Sequence, residues 1–319
     1  MNITLLARTS VIAATIALVA IAPPRTNAES RSEMFNGFDL SSAIIPTNEI
    51  HAGGPPRDGI PAIDRPAFLR PSRVDYLRDE DPVISVTVDG KTRAYPLRIL
   101  TRHEIVNDRI GGQFFAVTYC PLCGSAMVFN RTIAGQIRSF GVSGLLYQSD
   151  VLMYDRGSES LFSQLAMKAV AGPLSGTELE WLPSAQSTWT AWRARYPDGE
   201  VLSNRNGRNA DYSHSPYAGY AWSPDTAFPV PVYRDELPKK AWVIGINLGG
   251  QSKAYSLTRL AQGATVSDTV GGVNVNVSYD TIAEEPVVLR ETDGKVLPSV
   301  QAYWFAWQAF HPDTLVWAP

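Results

Sequence analysis

Alternating apolar and polar positions dominate this chain, and they come in pairs. Val83-Ile84-Ser85-Val86-Thr87-Val88, the dipeptide Asp89-Gly90 and the stretch Lys91 to Leu97 predict two strands joined by a two-residue turn that matches strand twist, a β-hairpin. A helical turn over Leu97 to Leu100 then leads into a strand from His103 to Asp108. Gly111-Gly112 returns the chain along Gln113 to Tyr119 as a second hairpin. Ser187 to Arg195 and Ser299 to Phe310 carry tryptophans three residues apart, Trp189/Trp192 and Trp304/Trp307. That spacing sets both rings of a pair on one helical face, as core anchors. Asn204 to Lys240 is rich in Pro, Asp, Ser and Tyr without a sustained period, and reads as a long loop or linker.

The pattern repeats. Val83 to Tyr119 aligns without a gap on Val243 to Tyr279 at an offset of 160, with Gly90/Gly250, Ala94-Tyr95/Ala254-Tyr255, Leu97/Leu257, Leu100/Leu260, Val106/Val266, Asp108/Asp268 and Gly111-Gly112/Gly271-Gly272 identical. Trp192, Pro197-Asp198 and Val201 fall on Trp307, Pro312-Asp313 and Val316 at an offset of 115, so the later copy is shorter by 45 residues. This is the signature of an internal tandem duplication whose second copy has lost a segment. The expected fold is therefore α+β and strand-rich, two related β-hairpin-based units. Its parts are a signal peptide over 1–28, a polar N-terminal segment over 29–50, a first unit over 51–203 that carries the site, a linker over 204–240, and a second, shortened unit over 241–319.

Composition narrows the function classes. The net charge of -3, 18% charged residues and the absence of any Lys/Arg run leave no electrostatic footprint for nucleic acid. Met1 to Ala28 reads as a secretory signal: few charges, an apolar run over Thr9 to Ala22, and small residues before a cleavage near Ala28. The run is shorter than the ~20 residues needed to span a bilayer, so the mature chain is expected to be periplasmic or secreted and to keep no membrane span. Loss of Arg8 and Arg25 with that segment takes the charge from -3 to -5. In an oxidising compartment the two cysteines must be paired, metal-bound or buried.

Comparison of the two copies separates scaffold from chemistry. His103 faces Gly263, Glu104 faces Ala264, Asn107 faces Ser267 and Cys120 faces Asp280, which places the site in the first unit. Gly53 to Asp64, Ala94-Tyr95-Pro96-Leu97, His103 to Asp108, Thr118-Tyr119-Cys120-Pro121-Leu122-Cys123-Gly124, and Phe140-Gly141-Val142-Ser143-Gly144 through Met153-Tyr154-Asp155-Arg156 resemble the domain-of-unknown-function family 3179. The resemblance runs from about Ile45 to the end and implies no settled activity. One departure is visible: this chain has Arg57 where the family often has lysine, which argues against a role for a deprotonatable amine there.

Cys120-Pro121-Leu122-Cys123 is the sharpest chemical motif. Two thiolates with an imidazole suit a soft ion, copper by preference or zinc. The same spacing also suits a redox-active pair or a plain local disulfide. Among four histidines, His103 is the expected third ligand, because it starts the strand whose hairpin partner ends at Cys120. Glu104, Asn107, Met127, Asp150, Met153, Asp155, Arg156 and Asp58 are the additional candidates. Met127 and Met153 enter as soft axial ligands or core filling; the carboxylates, with Asp64 and Arg156, form a rival acid, base and anion-holding group. No nucleophile elbow, phosphate loop or dinucleotide fingerprint is present, and no nucleotide cofactor is expected. The expected function is soft-metal binding with a redox option. The alternative is a ligand-binding or interaction module with a structural disulfide, its small-molecule or protein partner unidentified.

Overall fold

The computed structural model describes residues 34–206 and 210–318. The expected signal peptide and the start of the polar N-terminal segment lie outside the described residues. Both predicted hairpins form. Pro82–Val88 pairs with Lys91–Pro96 in register Val83 opposite Pro96, and the intervening Asp89 and Gly90 take φ of 49° and 76°. Two successive left-handed residues are what the twist-matched turn requires, and Asp followed by Gly supplies them at least strain. Ile105–Ile110 pairs with Gln113–Cys120, Ile105 opposite Thr118.

These hairpins are pieces of larger sheets, and that overturns the expected α+β fold of two hairpin-based units. The described residues are 42% strand and 13% helix, in a five-bladed β-propeller arrangement. The first sheet has the order Ala185–Thr188, Pro82–Val88, Lys91–Pro96, Glu200–Leu202, Phe68–Leu69. The second is Trp181–Leu182, Ser125–Asn130, Gln113–Cys120, Ile105–Ile110, and the third is Lys168–Ala171, Leu161–Ser163, Asp150–Asp155, Phe140–Tyr147, Ile50–Ala52. The fourth is Val300–Tyr303, Trp242–Leu248, Gln251–Ser256, Leu315–Trp317, and the fifth is Val266–Val270, Val273–Asp280, Glu285–Arg290. The reason for the difference is physical. Among the described residues the helices run seven residues at most, too short to cover a sheet as a separate layer, so the sheets bury their faces against one another.

The segments offset by 160 residues carry the same pairing. Val243 lies opposite Ser256 as Val83 lies opposite Pro96, and each hairpin receives a parallel strand on its second member, Glu200–Leu202 in one case and Leu315–Trp317 in the other. The strands of the third sheet from Phe140 to Ala171 belong to the longer stretch alone. Trp189, Trp192, Trp304 and Trp307 are all buried on the helices Trp189–Arg195 and Trp304–Phe310. Three of their indole N–H groups are satisfied inside the fold: Trp192 donates to Ser85 Oγ at 3.0 Å, Trp304 to Arg234 O at 2.8 Å and Trp307 to Thr314 Oγ1 at 2.9 Å.

A polar tie recurs at the same offset. Tyr95 donates its hydroxyl to Asp108, which also pairs with Arg93 at 2.9 Å. Tyr255 donates to Asp268 at 2.8 Å, and Asp268 pairs with Lys253. The first tie is deeper, with Tyr95 and Asp108 buried, while the Asp268 side chain is 18% exposed. Removing one member of a buried pair strands the other, and partial exposure of the acid lowers that cost. Asp108→Ala is expected to cost about 3 kcal/mol and Asp268→Ala about 1 kcal/mol. Urea unfolding of the two variants checks this; equal losses would contradict the difference in burial.

Candidate functional site

The strand Gln113–Cys120 is forced to reverse at once, because Cys120 is paired across the turn with Ser125. Cys123 N donates to Cys120 O at 3.2 Å, and Gly124 completes the turn with φ of 64°. A side chain there would also strike Trp242, whose Cη2 lies 2.5 Å from the place a Cβ would take. The turn therefore folds both thiols back against the core, where Cys120 is 1% and Cys123 0% exposed. Gln164 pins it: Ser125 Oγ donates to Gln164 Oε1 at 2.6 Å, and Gln164 Nε2 donates to Thr118 Oγ1 at 2.8 Å.

Asp150 arrives from the third sheet. Gln148 and Ser149 take φ of 49° and 72° in the turn before it, which aims the Ser149 carbonyl at the cysteines. That oxygen accepts from Cys123 Sγ at 3.3 Å and stands 3.7 Å from Cys120 Sγ. The carboxylate follows. Donor atoms of Cys120, Cys123 and Asp150 all lie within 4.8 Å of one another. Asp150 Oδ2 accepts from Leu165 N at 3.0 Å, while Oδ1 is buried without a hydrogen-bond partner. Glu104 adds a fourth acidic group nearby, 7% exposed.

Burial sets the electrostatics, offset at Asp150 only in part by hydrogen bonds from the Leu165 and Val151 backbone and from the two thiols. Desolvation pushes Asp150 up to about 7 and Glu104 up to about 8, the latter helped by repulsion from Asp150. It raises both thiols, Cys123 well above the ordinary range. Among the described residues no lysine or arginine forms an ion pair with either carboxyl group. The segment read from the sequence as a long loop or linker packs over the site. Tyr217, Tyr220, Phe228, Val230 and Leu237 pack on the apolar cluster that holds both cysteines, and Ser149 Oγ donates to Phe228 O at 3.4 Å.

His103 does not join the thiols, which corrects the expected ligand set. It ends the helix Leu97–His103 instead of starting a strand, and Glu104, with φ of 58°, turns the chain into Ile105. The His103 ring faces the other way. Nδ1 donates to Pro61 O at 2.7 Å and Nε2 accepts from the Tyr212 hydroxyl at 2.7 Å, so both nitrogens are engaged. Glu104, one residue on, lies within electrostatic reach of Cys120 and Asp150.

The remaining candidates separate into packing and a distant charge network. Met127 and Met153 are fully buried in the same apolar cluster as the cysteines. Asn107 is a cross-link: its Nδ2 donates to Asp64 Oδ1 and Phe140 O, and its Oδ1 accepts from Phe140 N. Asp58 accepts from the Tyr154 hydroxyl, Arg156 bridges Asp64 at 2.6 Å and Asp58 at 3.4 Å, and Asp155 pairs with Arg138 at 3.2 Å. Every acid there has an arginine, Asp58 and Asp64 sharing Arg156. Sequence reading missed Ser149, Gln164, Tyr217 and Tyr220; the last two carry a readable signal, aromatic residues three apart inside an otherwise polar stretch.

The chain belongs to the family described as "Protein of unknown function (DUF3179)", which matches residues 57–314. No curated protein and no solved structure matches it.

The Glu104 carboxyl makes a pH prediction. Its folded value of about 8 lies above the ordinary 4.5, so the native state keeps a proton that the unfolded chain has released. Stability from this group is complete below about pH 4.5 and is lost as pH rises toward 8. Glu104→Gln, measured by urea unfolding after chelator treatment, is expected to gain a few kcal/mol over the parent at pH 8 and nothing at pH 4.5. A gain that ignores pH would contradict the assignment.

Proposed function

We propose that this protein is an exported metal-binding protein that holds one thiophilic divalent ion between Cys120, Cys123 and Asp150. The observation that carries the reading is the convergence of two thiols and a carboxylate on one buried point, with Asp150 Oδ1 unpartnered there. A buried acidic oxygen without a donor costs about 1–3 kcal/mol or more, and a cation removes that cost while compensating several acidic neighbours at once. The apparent alternative, a protonated and empty site, keeps the cost.

The donor set also bears on which ion. The expectation of copper leaned on an imidazole and on methionine sulfur. With His103 engaged elsewhere and a carboxylate in its place, the set is two sulfurs and an oxygen. Carboxylate oxygen is a poor partner for Cu(I), whereas Zn²⁺ accepts Cys and Asp together, so zinc is the preferred occupant. Export rests on the sequence of Met1 to Ala28. We read the segments offset by 160 residues as tandem copies in which the first alone kept this chemistry, since Asp280 stands where the first has Cys120.

Metal content of the full chain, loaded with zinc or copper and dialysed, tests the reading. One zinc per chain is expected. Cys120→Ser and Cys123→Ser should each abolish stoichiometric binding, Asp150→Asn should weaken it by about 100-fold or more, and His103→Ala should leave it intact. Wild-type protein with no metal and no free thiols would instead establish a local disulfide and the binding-module alternative.

A further inference from the structure

Two buried oxygens at this site lack a partner in good hydrogen-bond geometry, Asp150 Oδ1 and Tyr220 Oη; the backbone N–H of Ala227 faces the phenol oxygen, but as a donor it leaves the hydroxyl proton without an acceptor. They come from distant parts of the chain. Asp150 opens the strand Asp150–Asp155, whereas Tyr220 rides on the short helix Ala218–Trp222, in the segment that closes over the thiols. Tyr220 is firmly placed. Lys240 Nζ lies 3.3 Å from its ring centroid and donates to its carbonyl oxygen. Its side chain packs against the apolar cluster of Cys120 and Cys123 and sits within electrostatic reach of both thiols.

A metal between Cys120, Cys123 and Asp150 accounts for the Asp150 oxygen and leaves the phenol unexplained. Desolvation keeps the proton on Tyr220, so its hydroxyl is a hydrogen-bond donor and not an anionic ligand. The count of protein donors is the other half of the argument. Glu104 is not among the atoms that lie within 4.8 Å of one another, which leaves three side-chain ligands among the described residues. Zinc closed by four protein ligands is structural, whereas zinc with three keeps a position for an exogenous ligand.

Resting on the metal reading above, we propose that the ion keeps an open coordination position facing Tyr220, whose hydroxyl donates to an exogenous oxygen or small anion bound there. Water fills the position in the resting protein; a small anion displaces it. The buried phenol then gains its acceptor, and the closing segment becomes part of the ligand pocket.

Cobalt(II) in place of zinc tests this without any assumed activity, because its visible spectrum reports sulfur ligation and coordination number. The full chain is loaded with one cobalt and titrated with thiocyanate. A saturable change in the spectrum is expected, and Tyr220→Phe should still bind one cobalt with the same sulfur-to-metal band while its thiocyanate affinity falls about tenfold or more, the loss of one hydrogen bond to an anion. Glu104→Gln should leave the anion-free spectrum unchanged. A spectrum insensitive to thiocyanate, an equal affinity in Tyr220→Phe, or a Glu104→Gln spectrum that shows a lost ligand would each overturn the open position while leaving the metal site standing. A chain that takes up no cobalt would overturn the metal reading itself.

Discussion

Desolvation of acidic groups is the constraint around which this molecule is arranged. Asp150 and Glu104 are carried into the interior beside two thiols, and burial drives both carboxyl groups up to about 7 and about 8. The fold has basic groups, and it spends them elsewhere. Arg57, Arg138 and Arg156 each pair with an acid in a separate network, and Arg131 donates to the backbone carbonyls of Phe115, Arg138 and Asp108. A fold that pairs its outer carboxylates with arginine and leaves its innermost ones without a basic partner has a site where protonation and ion binding would be two answers to one electrostatic problem. Protons neutralise the groups one at a time. A divalent ion neutralises them together and satisfies the orphaned oxygen as well.

The strands supply what the side chains alone could not. Cys120 ends one strand and is paired across a tight turn, so the two sulfurs are held close by backbone geometry and not by a bond between them. Asp150 comes from another sheet, delivered by two consecutive left-handed residues at Gln148 and Ser149. Non-glycine residues in that conformation are uncommon and persist where the surroundings hold them. The Ser149 carbonyl that this turn presents to the thiols and the Gln164 side chain that bridges Thr118 to Ser125 fix the two sheets against each other at the site. Positioning of this kind is rigid on three sides. The fourth side, from Tyr217 to Leu237, is irregular chain laid over the thiols.

Local patterns in the sequence found the local structure and misjudged what it builds. Asp89-Gly90 and Gly111-Gly112 marked real turns, and the tryptophan pairs marked real buried helix faces, because each is decided by a handful of neighbouring residues. The overall architecture depended on the third sheet, whose strands from Phe140 to Tyr147 and Asp150 to Asp155 are buried throughout. Such strands show no alternation, since both faces are covered, and periodicity is blind to them. The site divides the same way. Cys120, Cys123, Asp150 and Glu104 were all legible as candidates, whereas His103 was favoured over Glu104 on the assumption that a strand begins at residue 103. A single left-handed residue at Glu104 reverses that choice, extending the helix through His103 and exchanging an imidazole for a carboxyl group beside the sulfurs.

The comparison of the two offset segments turns that local event into an argument about where chemistry can sit. Tyr95, Asp108 and Arg93 recur as Tyr255, Asp268 and Lys253 with the same partners, so this tie is scaffold, needed wherever the hairpin pair is built. At the helix end the segments part. Glu104 corresponds to Ala264 and follows a residue that corresponds to Gly263, whose φ of 95° bends the chain with no side chain to offer. The strand after it ends in Asp280, which accepts from the backbone N–H groups of Ile282 and Ala283 at 2.9 Å and closes its own turn. In the first segment that turn is made by Cys120 to Gly124 and gives up self-satisfaction: its polar atoms, the sulfurs, point inward at Asp150 and Glu104. The same backbone reversal thus serves as a surface turn in one place and an inward-facing thiol turn in the other, and the difference is whether the residue at its head caps its own turn or faces Asp150 from the interior.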